Sequence, residues 1–166
     1  KIEGKTNKKA ASAADIIVLT VPYFAHRSML ESLKESLEGK ILIDVTVPIV
    51  PPRITKVQMP PEGSAAQEAQ NILDNNVQVI SAFQNISYEK LLEEKEIDCD
   101  VLVCGGEKKS KSIVLQLVKD AGLKGWDAGP IENSVVVEGL TSILIGINKQ
   151  FGTHSAGIKI TNVPRN

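Results

Sequence analysis

Aromatic side chains and net charge are both scarce in this 166-residue sequence. Aromatic residues make up 4% of the chain, which argues against a platform on which nucleic-acid bases could stack. The formal net charge is −1, so there is no general basic field to attract nucleic acid. No segment has the length and apolarity of a membrane span, and we expect no signal peptide. Nucleic acid and membrane are therefore not predicted as partners.

Residues that react or bind metals are equally few. The two cysteines, Cys99 and Cys104, lie five positions apart in one predicted strand, which puts their side chains on opposite faces. We therefore expect two buried thiols in a reducing cytoplasm rather than a disulfide. His26 and His154 are isolated from each other and from the cysteines, so no metal-ligand spacing occurs. With no G-x-S-x-G elbow and no Walker loop, the sequence predicts no catalytic residue and no metal ligand.

A glycine-rich turn is also missing. Nucleotide-binding α/β domains normally carry G-x-G-x-x-G between the first strand and the first helix, where backbone amides meet the pyrophosphate. The sequence contains no such motif. Gly105 and Gly106 follow a predicted strand, but a glycine pair alone is better explained as a turn of the chain.

Hydrophobic residues, by contrast, make up 42% of the chain and charged residues 23%, which predicts a folded core in one domain, residues 1–166. Apolar, mostly β-branched runs alternate with segments of helical spacing, which indicates an α/β fold with a largely parallel sheet. The predicted strands cover residues 16–21, 40–45, 100–104 and 124–128, and a further run begins at Val77. The predicted helices cover residues 8–14, 26–37, 64–73, 87–95, 107–121 and 133–148.

Several predicted strands end in small or polar tips. These tips are residues 21–23, 45–48, 82–86 and 104–106. Ligands of open parallel sheets bind at the carboxyl ends of the strands. We therefore consider the hypothesis that the four tips converge on one ligand site.

Two further segments allow alternative interpretations. Residues 46–63 contain five prolines and form either a lid or binding loop or a variable surface excursion. The last helix is apolar nearly all round, which is typical of a buried helix. Within it, Gly139, Ser142 and Gly146 form a stripe of small residues against which another backbone could pack closely. We favour a partner subunit there over a helix that threads the core of a larger single chain.

An ordered set of stretches resembles the NADPH-dependent coenzyme F(420) reductase family. The stretches are ADIIVLTVPY (14–23), GSAA (63–66), DCDVLVCG (98–105), DAGP (127–130), the closing helix 138–148 and AGIK (156–159). Each is weak alone, but together they span nearly the whole chain in the same order. The resemblance implies a Rossmann-like parallel sheet, truncated at the N-terminus, with a long apolar C-terminal helix. It also implies an oxidoreductase that moves a hydride between C4 of the nicotinamide of NADP(H) and C5 of the deazaflavin coenzyme F(420). Such a transfer needs positioning more than an acid or a base.

The family resemblance also implies the binding residues. The nicotinamide is expected near Val21, Pro22 and Tyr23, with His26 just beyond them. The deazaflavin is expected over five residues of two other tips, namely Val47, Pro48, Gln84, Asn85 and Ile86. Plainer roles remain open: core packing for Tyr23, a helix start for His26, and helix capping for Gln84 and Asn85. The C-terminal helix is expected to form a homodimer.

The sequence departs from the family in two respects. About a third of the family's domain, including the glycine-rich turn and the basic residues that hold the NADP 2′-phosphate, has no counterpart before Lys1. Gln84 stands where related sequences often have a histidine. If the strand at 16–21 normally pairs with the missing first strand, its edge is bare. We therefore expect either a fragment or a short protein that covers this edge with another subunit.

Other functions remain open. The missing glycine-rich turn would also fit a non-catalytic dimerisation or ligand-binding module. Among enzymes, an NADPH-dependent flavin or ferric reductase domain is the alternative.

Overall fold

The strands and helices follow the predicted order. A computed structural model describes residues 2–93 and 96–164. Its strands are β1 Ile16–Leu19, β2 Ile41–Asp44, β3 Gln78–Ser81, β4 Asp100–Gly105 and β5 Lys124–Asp127. Its α-helices are α1 Asn7–Ala13, α2 Tyr23–Leu37, α3 Ala65–Leu73, α4 Tyr88–Leu91, α5 Lys108–Asp120 and α6 Ser134–Phe151. The prediction of an alternating α/β fold is confirmed, although α4 is a single turn and the predicted end of its segment, residues 94 and 95, lies outside the described residues.

The sheet is mostly parallel, with one antiparallel step. Its strand order is β1-β2-β3-β4-β5. The pairs β1–β2, β2–β3 and β4–β5 are parallel, whereas β4 runs antiparallel to β3, with Ser81 opposite Cys104. The glycine pair at the end of β4 therefore lies at the opposite end of the strands from the tips of β1, β2 and β3. The hypothesis of four converging tips is wrong for this tip, and three tips remain.

The connection from β3 to β4 explains the change of direction. A parallel pair needs a crossover of a dozen or more residues, usually a helix that packs along the sheet. The only α-helix in the described part of this connection is α4, which has four residues, none of them buried. The segment therefore turns the chain back at the same edge of the sheet.

Each face of the sheet carries its own apolar cluster. Leu42 and Ile43 are neighbours in β2 and point to opposite faces, as successive strand residues must. Leu42 belongs to a cluster with α1, α2 and α3, and Ile43 to a cluster with β4 and α5. Burial on both faces explains the continuous apolar runs of the central strands.

The 46–63 loop packs on the small-residue stripe of α6. A Cβ atom at Gly139 would lie 3.5 Å from both Met59 Cε and Val57 Cγ1, and one at Gly146 would lie 3.8 Å from Thr55 Cβ. The small-residue stripe is therefore packed closely, but by side chains of the chain's own loop rather than by another backbone. This loop contains neither a helix nor a strand in the described structure.

Strand β1 lies at an edge of the sheet. Among the described strands it pairs with β2 alone, and Val18 is 51% exposed. It ends at Leu19, two residues earlier than predicted, and Pro22 follows without a backbone N–H to donate. Within residues 2–93 and 96–164, every helix is too short or too polar to cross a bilayer.

Candidate functional site

A large groove opens between the tips of β1 and β2. It has a volume of about 870 Å³. Four of the predicted nicotinamide and deazaflavin residues line it, namely Val21, Pro22, Tyr23 and Val47. Phe24 also lines it and is 90% exposed, although the sequence analysis did not single it out. An exposed aromatic side chain next to a predicted ligand tip is the signal that could have identified it.

A second groove lies at the tip of β3. It has a volume of about 440 Å³ and runs between residues 84–89 and the outer part of α6. Gln84, Asn85 and Ile86 line it together with Thr141 and Leu144. The predicted residues are therefore divided between two grooves. The tip of β2 lies between them because β2 is the middle strand of the three.

Two predicted site residues line neither groove. Pro48 is buried in the tip of β2. The His26 side chain is fully buried, and its Nε2–H donates to Asp44 Oδ2 at 2.7 Å. His26 therefore lies buried behind the groove. Tyr23 lines the groove, and its ring centroid is 6.0 Å from that of His26.

Buried charges surround His26. Its Nδ1 lies 3.5 Å from Glu68 Oε2. The other oxygen of Glu68, Oε1, forms an ion pair with Arg27 Nη2 at 2.6 Å. Burial lowers the pKa of His26, but the hydrogen bond to Asp44 and the two carboxylates together raise it above its ordinary value. A protonated imidazole is thus favoured here, because it can offer an N–H to both Asp44 and Glu68.

Tyr23 reaches the same buried charges from the groove. Partial burial, followed by the nearby Glu68 carboxylate, raises the pKa of Tyr23 to about 12. The phenol therefore stays protonated at neutral pH and presents a neutral, amphipathic wall to the groove.

Amide side chains form the floor of the second groove. Gln84 Nε2 donates to Asp44 O at 2.8 Å and to Ser81 Oγ at 2.8 Å. Asn85 Nδ2 donates to Val137 O at 3.0 Å. Main-chain carbonyls can only accept, so these bonds fix the orientation of both amides. The oxygens Gln84 Oε1 and Asn85 Oδ1 are buried and have no hydrogen-bond partner among the described residues.

A buried glutamate in α6 joins that helix to α3. Glu138 accepts the backbone amides of Ala65 at 2.7 Å and Ala66 at 3.1 Å. Ser64, the first residue of the predicted helix 64–73, caps α3, because its Oγ accepts the amide of Gln67 at 3.0 Å. A single carboxylate in an otherwise apolar helix was the sequence signal for this contact.

Metal binding has no support within residues 2–93 and 96–164. No group of three or more histidine, cysteine, aspartate or glutamate side chains there could hold an ion. Cys99 and Cys104 are both buried and unbridged, which confirms the prediction of two separate thiols.

One family profile and several named relatives match this chain. A sequence profile described as "NADP oxidoreductase coenzyme F(420)-dependent" matches residues 1–48. The chain is 37% identical to the F(420)-dependent NADP reductase of Methanocaldococcus jannaschii, over 98% of this chain and 74% of that protein. It is 38% identical to the F(420)-dependent NADP reductase of Methanothermobacter marburgensis, over 99% of this chain and 76% of that protein.

A solved structure supports the fold. It is provisionally named an F(420)-dependent NADP reductase and comes from Arthrobacter sp. FB24. The match has a TM-score of 0.81 at 22% identity and covers 93% of this chain and 72% of that one. Given the sequence identity to two reductases along nearly its whole length, the chain belongs to the F(420)-dependent NADP reductase family.

Proposed function

We propose that the protein is an oxidoreductase that transfers a hydride between NADP(H) and the deazaflavin coenzyme F(420). The observation that carries the proposal is the sequence identity of 37% and 38% to reductases of this name over almost the entire chain. When bound, the two coenzymes supply the chemistry themselves, since the hydride passes between C4 of the nicotinamide and C5 of the deazaflavin. The protein's task is to bind and orient two ring systems and to exclude water.

The first groove suits the nicotinamide end of NADP(H). Val21, Pro22 and Tyr23 form one wall and Val47 the other, so the lining is mostly apolar. We expect the exposed ring of Phe24 to contact the cofactor and to lose exposure when it binds. The 166 residues contain no G-x-G-x-x-G, so they offer no glycine-rich turn for the pyrophosphate.

The second groove suits a ring that donates hydrogen bonds. A glutamine side chain can donate a hydrogen bond to a ring carbonyl through its amide nitrogen. The amide nitrogen of Gln84 is, however, already engaged by Asp44 and Ser81, and only its oxygen remains. Asn85 also has only its oxygen left. Because an unpaired buried acceptor costs about 1–3 kcal/mol, we expect a ring N–H or O–H of the deazaflavin to pair with one of these oxygens.

The direct test uses the full-length protein with NADPH and oxidised coenzyme F(420). Bleaching of the deazaflavin absorbance, with matching loss of NADPH absorbance, is the expected result. Replacing the deazaflavin with a flavin or a ferric chelate tests the alternative reductases. A folded protein that binds NADPH but reduces none of these acceptors would leave the non-catalytic module as the correct interpretation.

A homodimer through α6 is part of the proposal. Val136, Ile143 and Ile147 are 64%, 49% and 39% exposed, and Phe151 is 72% exposed. Their spacing of seven, four and four residues places them on one face of the helix. This face lies apart from the small residues that the 46–63 loop covers. Sedimentation of Ile143→Lys should give a monomer and the parent protein a dimer; a dimer in both would place the interface elsewhere. A cytoplasmic location, expected from the two free thiols, stays a prediction.

A further inference from the structure

Three hydrogen bonds connect the tips of β1, β2 and β3, and Asp44 takes part in two of them. Thr46 Oγ1 donates to Val21 O at 3.4 Å, which ties the tip of β2 to that of β1. The backbone amide of Thr46 donates to Asp44 Oδ1 at 3.0 Å, which bends the tip of β2 back on its own last residue. Gln84 Nε2 donates to Asp44 O, which ties the tip of β3 to β2. Asp44 therefore accepts a backbone hydrogen bond from Thr46 at the first groove and a side-chain hydrogen bond from Gln84 at the second groove.

The side chain of Asp44 cannot easily turn away from this position. It is 0% exposed, and Oδ2 accepts the N–H of His26 at 2.7 Å while Oδ1 accepts that of Thr46. His26 is fixed in turn by its place on the buried face of α2, beside the carboxylate of Glu68. Asp44 itself lines neither groove. Any effect it has on bound coenzymes must act through the residues that it hydrogen-bonds, namely Thr46, Gln84 and His26.

We propose that Asp44 is a positioning residue for hydride transfer, which fixes the distance and angle between the nicotinamide groove and the deazaflavin groove. The inference rests on the function proposed above. A hydride passes only between rings held in a near-attack arrangement, and displacements of about 1 Å can cost about 100-fold in rate. Asp44 hydrogen-bonds one lining residue of each groove, since its side chain accepts from Thr46 and its main-chain carbonyl accepts from Gln84. Its position therefore couples the two grooves.

The test compares variants of Asp44 in the full-length protein. Asp44→Ala removes both side-chain bonds, and we expect kcat to fall by about 100-fold, with the KM for NADPH and for coenzyme F(420) changed by less than about threefold, because Asp44 touches neither ligand. Asp44→Asn keeps an oxygen for the Thr46 amide, and its amide can donate to the other tautomer of His26. It should restore kcat to within about tenfold of the parent protein.

Asp100→Asn is the matched control. Asp100 is also 0% exposed, and its Oδ2 accepts Trp126 Nε1 and the Ile160 amide, each at 2.8 Å, away from both grooves. We expect kcat within about twofold of the parent even where the melting temperature falls. If Asp44→Ala fails to fold, Thr46→Val takes its place, because it removes only the bond to Val21 and conserves the shape of the side chain. It should lower kcat by about three- to tenfold.

Hydrogen exchange separates this inference from the proposed function. The backbone amides of residues 45–47 should exchange at least about tenfold faster in Asp44→Ala than in Asp44→Asn, because only the first loses the acceptor of the Thr46 amide. Equal exchange, or an active parent whose kcat is unchanged in the Asp44→Ala or Thr46→Val variant, overturns the positioning role. A parent protein that transfers no hydride from NADPH to the deazaflavin instead overturns the proposed function.

Discussion

Glu138 should make the stability of this protein fall as pH rises through neutrality. Its side chain is 0% exposed and lies at the N-terminus of α3. Burial raises the pKa of Glu138 from 4.5 to about 8, against the lowering effect of the amides of Ala65 and Ala66 and with the help of Asp44 and Glu68. The folded protein therefore holds a proton at this carboxyl that the unfolded chain has already released.

The pKa values give the sign and size of the effect. Below pH 4.5 both states are protonated, and the contribution of Glu138 to stability is fully present. As pH rises, the unfolded chain ionises first, so the free energy of unfolding falls by about 1.4 kcal/mol per pH unit. The loss ends near pH 8, where the folded state also ionises. Between pH 5 and pH 8 the expected loss is about 4 kcal/mol.

Urea unfolding of the parent protein and of Glu138→Gln, at half-unit steps from pH 5 to pH 8.5, measures this loss. The glutamine cannot ionise but leaves one buried backbone amide poorly paired, so at pH 5 the variant should be less stable by about 1–3 kcal/mol. The difference should close with rising pH and then reverse in favour of the variant. Glu132 is an exposed carboxylate just before α6, the helix that carries Glu138. Glu132→Gln should therefore differ little from the parent protein in stability at every pH. A difference that stays constant or grows with pH would refute the reasoning, because it would mean that the two amides outweigh burial and keep Glu138 ionised.

Two further predictions concern substitutions of two separate glycines, Gly146 and Gly105, and of Tyr23. Gly146→Ala should stabilise α6 by up to about 1 kcal/mol, because its Cβ would make only ordinary contacts. Gly105→Ala should destabilise by about 2 kcal/mol or more, since φ is +89° and the new Cβ would lie 2.7 Å from a main-chain oxygen; thermal melts that ranked these two the other way would contradict both statements. Tyr23→Ala should weaken NADPH binding by about tenfold or more while the melting temperature changes little, with Tyr23→Phe as the control that keeps the ring; a loss of stability equal to the loss of binding energy would assign Tyr23 to core packing.

The order of elements was predictable because the central strands β2, β3 and β4 are buried on both faces. Such strands appear as continuous apolar runs, and the helices between them keep their helical spacing. The direction of β4 was not predictable from the same pattern, since residues 100–104 have the same composition in either direction. The length of the preceding helix decides it, and the sequence predicted a helix over residues 87–95 where α4 has only four residues.

The stripe on α6 shows a related limit. Small residues at Gly139 and Gly146 predict that another segment packs closely on the helix, and side chains of Met59, Val57 and Thr55 do so. The sequence does not encode whether that segment belongs to a loop or to another subunit, because close packing imposes the same steric requirement in both cases. Residues 46–63 are proline-rich and have no regular structure of their own, so they need a surface on which to pack. This need was the available indication that the loop, rather than another subunit, covers the stripe.

The helical periodicity was enough to predict that His26 is buried, whereas the family resemblance placed it at the ligand site. His26, Leu30, Leu33 and Leu37 follow one another at four, three and four residues, and all four are buried. The spacing alone therefore places His26 on the core face of α2 rather than on the groove. A histidine in the core requires polar partners, and the strand that ends beside α2 supplies Asp44. The family resemblance implied that His26 contacts a ligand at the strand tips, whereas the helical period indicates that it is buried behind them. The hydrogen bond of the buried His26 to Asp44 is what makes Asp44 the residue to test.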